Sequence, residues 1–267
     1  MNISDMLLRR PKRRLLIERR RWRERQARHR LAREPQVWAW LHEYLAQTES
    51  TGCSYGDYWT LYSHVRRHRP IEVLECGTGV STMILAAAML ENEREGWPAG
   101  RITSMEDHEK WLEMSRALLP SELAGVVDFT FSPSVEGRFS LFRGMHYQDV
   151  PDRRYDFAFV DGPHYRTPDG TLTCDLDLLL ILDKAETPLM AVVDKRVSTC
   201  WVLQQVLGVE NVRFDPALGL AFVGPVTAAD VREVRRDTPS LSFAASYSAI
   251  GKTRLGFSRD AARRAWR

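Results

Sequence analysis

The chain has 267 residues, 44% of them hydrophobic, 27% charged and 10% aromatic, a composition that excludes disordered, collagenous and membrane-spanning classes and allows one large α/β domain with appendages. Four cysteines, Cys53, Cys76, Cys174 and Cys200, stand far apart without a C-x-x-C pair, which writes neither a disulfide framework nor a zinc knuckle and suits a reducing compartment. The net charge of +3 conceals an asymmetry: residues 9–33 hold twelve arginines and Lys12 against Glu18 and Glu24, a local +11 that leaves the rest of the chain at −8.

Residues 1–34 therefore form a basic arm, with natural breaks at Pro11 and Pro35. Two readings of the arm stand side by side. It is a module for an anionic partner, nucleic acid or a membrane surface. Alternatively it is a solvated helix whose Leu15, Leu16, Ile17, Trp22 and Leu31 pack on the body or on a second copy of the chain in a homo-oligomer. No run approaches the roughly 18 to 20 apolar residues of a membrane span, and the N-terminus has no apolar secretory stretch, so the expected location is the cytoplasm.

Two helices are expected over 35–69: one on the spacing of Val37, Trp38, Trp40, Leu41, Tyr44 and Leu45, and one capped by Asp57 with Tyr58, Trp59, Leu61, Tyr62 and Val65 inside. The aromatics Tyr55, Tyr58, Trp59 and Tyr62 just before the first strand read as core packing, with a substrate box as the alternative. From residue 70 short apolar runs alternate with amphipathic stretches. Strands are expected at 71–75, 101–106, 126–131, 155–160 and 189–194, with helices near 81–92, 109–118, 175–185 and 198–207, an order that makes a parallel sheet covered on both faces. Runs at 212–214 and 218–223 suit a closing antiparallel hairpin, and 227–236 reads as one more helix, capped by Thr227, before a C-terminal tail. The organisation is thus arm 1–34, helical lid 35–69, core 70–226 and tail 227–267.

The stretch Val73-Leu74-Glu75-Cys76-Gly77-Thr78-Gly79-Val80-Ser81-Thr82 is an apolar strand running into a glycine turn and a helix. Gly77 and Gly79 permit a tight turn and close approach of backbone to a ligand, and Ser81 and Thr82 open a helix whose free N–H groups favour electron-rich groups. Such a turn lies at the carboxyl edge of a parallel sheet, where ligands bind. The next strand ends on Glu106, where a carboxylate accepts hydrogen bonds from ribose hydroxyls. A nicotinamide fingerprint would place a third glycine where Thr82 stands.

The segment Glu75-Cys76-Gly77-Thr78-Gly79 resembles motif I of the class I S-adenosylmethionine-dependent methyltransferases. Residues 103–111, with Glu106 and Asp107, resemble the acidic motif of their second strand. Residues 155–164, ending Asp161-Gly162-Pro163-His164, resemble the fourth-strand motif, and Ala191-Val192-Val193-Asp194 the fifth strand, so the likeness spans residues 70–224. It implies a Rossmann-like, mostly parallel seven-stranded sheet with a C-terminal antiparallel hairpin. It further implies S-adenosylmethionine as cofactor, with Glu75, Gly77, Thr78, Gly79, Ser81 and Thr82 at its amino-acid end, Glu106 and Asp107 at its ribose, Ser132 and Ser134 towards its adenine, and Asp161 beside it.

In catechol-type O-methyltransferases an aspartate at the Asp161 position and an aspartate-asparagine pair after the fifth strand hold a divalent metal, and a lysine three residues after the first aspartate is the base. Asp161 and Asp194 match, but Lys195 replaces the asparagine and His164 the lysine. An ammonium repels a neighbouring cation, so the expectation is a site without a metal, with His164 as general base, Asp161 and Asp194 as its carboxylates and Lys195 able to hold an anionic acceptor. The function implied is methyl transfer to an oxygen of a small-molecule or sugar-containing acceptor. The missing Asn/Asp-Pro-Pro-aromatic tetrapeptide speaks against methylation of amides and base amines. Two alternatives remain: a non-catalytic binding module of the same fold, and an RNA-directed methyltransferase using the arm. Removal of residues 1–34 is expected to leave small-molecule turnover largely intact in the first reading and to abolish salt-sensitive RNA binding in the last.

Overall fold

The computed structural model describes residues 3–49, 54–185 and 187–231, with side chains from residue 15 onward. Cys53 and the second half of the expected 227–236 helix lie outside the described residues; the first half holds a single 3-10 turn, Ala228–Asp230.

The chain opens with α1 (Ile3–Leu31), α2 (Pro35–Gln47) and α3 (Tyr55–His68). The expected break at Pro11 does not occur, and α1 runs through it. A proline removes one intrahelical donor, and here a run of strong helix formers, mainly Arg, Leu and Glu, continues on the far side. Pro35 does start α2, at a position where its missing N–H costs nothing. The cap of α3 is Ser54 rather than Asp57. Asp57 occupies the third helical position and returns the bond, its Oδ2 accepting from Ser54 N at 2.8 Å.

The core elements are β1 (Glu72–Cys76), α4 (Val80–Arg94), β2 (Arg101–Glu106), α5 (Glu109–Leu118), β3 (Val127–Phe131), β4 (Ser134–Phe139), β5 (Phe142–Tyr147), β6 (Phe157–Val160), α6 (Asp177–Leu182), β7 (Leu189–Asp194), α7 (Val197–Leu207), β8 (Val212–Asp215) and β9 (Leu220–Val226). The sheet order is β3-β2-β1-β6-β7-β9-β8, parallel except that β9 runs antiparallel to both β7 and β8. This is the expected seven-stranded, mostly parallel sheet with its closing hairpin. The chain steps outward from β1 through β2 to β3 on one side and from β6 to β7 on the other, so the crevice at the carboxyl ends of the parallel neighbours β1 and β6 is the switch point where such sheets bind ligands.

The period-2 alternation of the strands feeds two cores. Val73, Ile102, Phe157, Phe159 and Val192 face α1–α4, while Leu74, Met105, Ala158, Val160 and Val193 face α6 and α7. The run Met83–Met89 is buried all round because α4 lies between the sheet and the α2–α3 layer. Helix α6 starts later than the expected 175–185, since Cys174 O and Leu176 N bond the backbone of Met145 and hold Asp175 in a parallel bridge with it.

The arm docks on the body. Ala27 and Leu31 are buried, Glu24 accepts from the α3 N-terminal amides Tyr55 N (2.8 Å) and Gly56 N (2.9 Å), and Arg23 Nη1 meets Asp215 Oδ2 at 2.6 Å. Arg28 and Arg30 lie over the rings of Tyr55 and Trp59 at 5.6 and 5.7 Å. Among the described residues no helix is long and apolar enough to cross a membrane.

Candidate functional site

A cavity of about 610 Å³ opens at the β1/β6 switch point, within the size range of small-molecule sites. Its floor is the turn after β1. Gly77 has φ +96, and a Cβ there would lie 3.0 Å from Asp161 C and Gly162 N, so the β1 and β6 turns are in backbone contact and glycine is required. Behind the turn, Thr82 Oγ1 accepts from Gly79 N (3.0 Å) and donates to Glu75 Oε2 (2.5 Å), which also accepts from Ser104 Oγ (2.6 Å). Glu75 is fully buried under the first turn of α4. Burial pushes its carboxyl up to about 7 against the pull of the Ser104, Ser81 and Thr82 hydroxyls. Glu75, Ser81 and Thr82 therefore support the cavity floor without lining it.

The second wall comes from β2. Glu106 Oε2 accepts from Thr78 N and Oγ1, both at 3.2 Å, and Oε1 accepts from Asp107 N and His108 N at 3.1 and 3.2 Å. Burial, then its hydrogen bond with Asp107, raises this carboxyl to about 7. The Thr78 hydroxyl is a rotor and can yield its place on the carboxylate to a ligand hydroxyl. Asp107, Trp111 and Met114 continue this wall, and Thr48 and Glu49 close it from the end of α2. Glu49 is held by Lys110 Nζ at 2.5 Å.

The third wall is the turn Asp161-Gly162-Pro163-His164 after β6. Asp161 N donates to Cys76 O at 2.8 Å, which aligns the turn with β1. His164 is exposed at the mouth, its ring stacked with Tyr165 at 5.8 Å.

The remaining expected residues stand elsewhere. Ser132 is buried and its Oγ accepts from Asp149 N at 2.9 Å; Ser134 enters β4, paired with Tyr147. Neither lines the cavity, because the chain after β3 turns directly into a hairpin. Asp194 is buried behind the cavity, its carboxyl pushed up to about 8 by burial and by the charges of Asp161 and Asp57. Lys195 does not present its ammonium to this cavity. Its Nζ lies 2.9 Å from Asp57 Oδ2 and 3.5 Å from Asp194 Oδ1, drawn inward by two buried carboxylates.

One residue that the sequence analysis does not single out, Arg196, is buried in the cavity wall. Nη1 donates to Pro163 O and Asp175 Oδ1, each at 2.7 Å, and Nη2 donates to Asp161 O. Its two acidic neighbours are 35 and 21 residues away in the chain, so no local pattern announces the cluster.

Residues 74–184 match the family described as a methyltransferase domain. Among solved structures, the chain is similar to a methyltransferase from Geobacter sulfurreducens (13% identity, 71% of this chain and 87% of that one, TM-score 0.46). It is also similar to a putative caffeoyl-CoA O-methyltransferase from Staphylococcus aureus (14%, 63% and 83%, 0.42) and to an S-adenosylhomocysteine-bound methyltransferase from Podospora anserina (17%, 67% and 61%, 0.39). No curated protein matches the chain.

Proposed function

We propose that this chain, whose residues 74–184 match a methyltransferase domain, is a class I S-adenosylmethionine-dependent methyltransferase that methylates an oxygen of a small-molecule or sugar-containing acceptor in the cavity between Gly77–Gly79, Glu106 and His164. The observation that carries this reading is the convergence at one switch point of a glycine floor, a carboxylate on the next strand and a turn bearing a carboxylate and an imidazole.

The residues present fit the cofactor. Glycine at 77 leaves room where a Cβ would touch the facing turn, and Glu106 offers acceptor oxygens to vicinal hydroxyls. In this reading the backbone of Gly77, Thr78 and Gly79 takes the amino-acid end and Glu106 with Asp107 the ribose. Glu75, Ser81 and Thr82 hold the floor in shape from behind, and Trp111 and Met114 supply apolar surface. S-adenosylmethionine, when bound, supplies an electrophilic methyl group on a sulfonium.

His164 is the base that removes the acceptor's hydroxyl proton, since an alcohol gains nucleophilicity as that proton leaves and the neutral imidazole has a ring nitrogen free to accept it. Asp161, in the same turn, orients the acceptor and favours the imidazolium once formed. Asp194 and Lys195 act from behind this turn as its electrostatic support rather than on the acceptor.

The test is calorimetric titration of the full chain with S-adenosylmethionine, S-adenosylhomocysteine and NAD, followed by methyl transfer to a panel of catechols, phenols and sugars. The expected result is binding of both sulfur ligands, weakened in Glu106→Ala, and turnover lowered by about 10²-fold or more in His164→Ala with little change in cofactor binding. Binding without turnover on any hydroxyl would favour the binding module. Turnover on RNA alone would make the arm the acceptor platform, and binding of NAD alone would overturn the cofactor reading.

A further inference from the structure

The likeness to catechol-type enzymes raises a divalent metal between the ends of β6 and β7, and the donor set here does not fit one. The fold gathers Asp175 and Asp194 close enough to Asp161 of the third wall for its charge to add to burial in raising the proton affinity of each. Two cations of the chain itself already stand among them. Lys195 Nζ is 3.5 Å from Asp194 Oδ1. The Arg196 guanidinium is 2.7 Å from Asp175 Oδ1 and 3.6 Å from Asp161 Oδ1, with a side chain only 10% exposed. A divalent ion would have to displace a buried guanidinium from its carboxylates and then bear the repulsion of the neighbouring ammonium.

The guanidinium also bonds backbone. By taking the carbonyls of Asp161 and Pro163 it ties two points of one turn, and by bonding Asp175 it anchors that turn to a fixed base. The base is itself locked, because Thr199 Oγ1 donates to Asp175 Oδ2 (2.7 Å) and accepts from Asp175 N (3.0 Å). The planar fork of arginine suits this multi-point task and the single ammonium of lysine does not.

We infer that Arg196 is a positioning residue, a built-in cation that clamps the Asp161–His164 turn against Asp175 in the place where a divalent metal would otherwise be held, so that the cofactor cavity is shaped without any metal. The inference rests on the proposed cofactor site only for one of its readouts. Hydrogen exchange reads the clamp alone, and calorimetry reads its consequence for ligand binding.

The experiment compares the full-length chain with Arg196→Ala, Arg196→Lys and the charge-balanced double variant Arg196→Met/Asp175→Asn, which keeps the fold testable if the single variants do not fold. Exchange at the amides of residues 161–167 is expected to quicken at least tenfold in the variants while β1 and β2 amides keep their rates. S-adenosylhomocysteine affinity is expected to fall at least tenfold, to be partly restored in Arg196→Ala by tens of millimolar guanidinium ion, and to stay within twofold in the unmodified chain on adding EDTA or magnesium. Exchange and affinity within twofold of the unmodified chain in the double variant would overturn the clamp. A loss of affinity with EDTA would overturn its metal-free character. If the unmodified chain binds no S-adenosylhomocysteine while the variants still loosen 161–167, the cofactor reading fails and the clamp stands.

Discussion

Gly162 and Gly77 touch through their backbones: a Cβ on Gly162 would lie 2.7 Å from Gly77 N, 2.8 Å from Gly77 Cα and 2.5 Å from Tyr147 Oη. Two of these neighbours are backbone and the third ends a buried tyrosine whose hydroxyl donates to Met105 O, so a side chain at 162 must push the two ligand-side turns apart. Gly162→Ala is therefore expected to cost about 1–3 kcal/mol of stability and to weaken S-adenosylhomocysteine binding by tenfold or more. Gly125→Ala, at a site with nothing within 4 Å, is the control and should match the parent in both. Denaturant melts with calorimetry decide the matter, and a Gly162→Ala protein with parental affinity would show that the turns can separate without harm.

The buried carboxyl of Glu75 gives the fold a pH dependence with a definite sign. Its proton affinity is raised on folding, to about 7 from 4.5, so the folded state holds a proton that the unfolded chain releases. The stabilisation is complete below the unfolded value and is lost as pH rises through about 7, a change on the order of 3 kcal/mol at about 1.4 kcal/mol per pKa unit. Glu106, raised to about 7, and Asp194, raised to about 8, act in the same direction. Urea unfolding at pH 5, 6, 7 and 8 should show stability falling with pH, and Glu75→Gln should flatten the fall. Parallel curves for the two proteins would mean that Glu75 titrates alike folded and unfolded.

Lys195 and Asp57 link the end of β7 to the start of α3 across 138 residues. Asp57 is fully buried, so removing its cation leaves a charge that water cannot reach. Because Lys195 Nζ is partly exposed, the expected cost of Lys195→Met is about 2 kcal/mol, and Asp57→Asn should recover part of it in the double variant. Additive losses in that cycle would show that the pair contributes no coupling.

The parts of this structure that were legible in the sequence are those where local pattern and burial agree. Strand 189–194 is an apolar run closed by an aspartate, and 101–106 carries β-compatible Ile102, Thr103 and Met105 up to its terminal glutamate; both appear with the expected bounds. The β4–β5 hairpin was not expected because its residues are mostly half-buried or exposed and give no apolar run, and its tip at Ser140 turns through φ +52 without a glycine or asparagine to mark it. At the site, Gly77, Glu106 and Asp161 could be read because strand ends and a glycine turn carry the signal. Arg196 could not, since its burial depends on Asp175 and on carbonyls that only the folded chain brings near. For the same reason Lys195 looked like an acceptor ligand until Asp57 arrived from the other end of the chain.

Helix α1 divides into a docked and an outward face, and the two should answer differently to mutation. The docked face carries Glu24 on the free amides of α3, Arg23 on Asp215 and the buried Ala27 and Leu31. Glu24→Ala removes a capping acceptor and should cost about 1 kcal/mol, and deletion of residues 1–34 should lower the melting temperature of the body, as expected for a helix that packs on it. The outward face carries exposed Arg19, Arg21 and Arg25 beside exposed Trp22. Charge reversal of these three arginines should leave stability within about 0.5 kcal/mol, as for surface sites without buried partners, while reducing salt-sensitive retention on heparin or RNA. A triple variant that melts like the parent and is retained like it would show that the outward arginines serve neither the fold nor an anionic partner. One that melts with the deletion would mean that the face taken as outward is in contact with something that stabilises it.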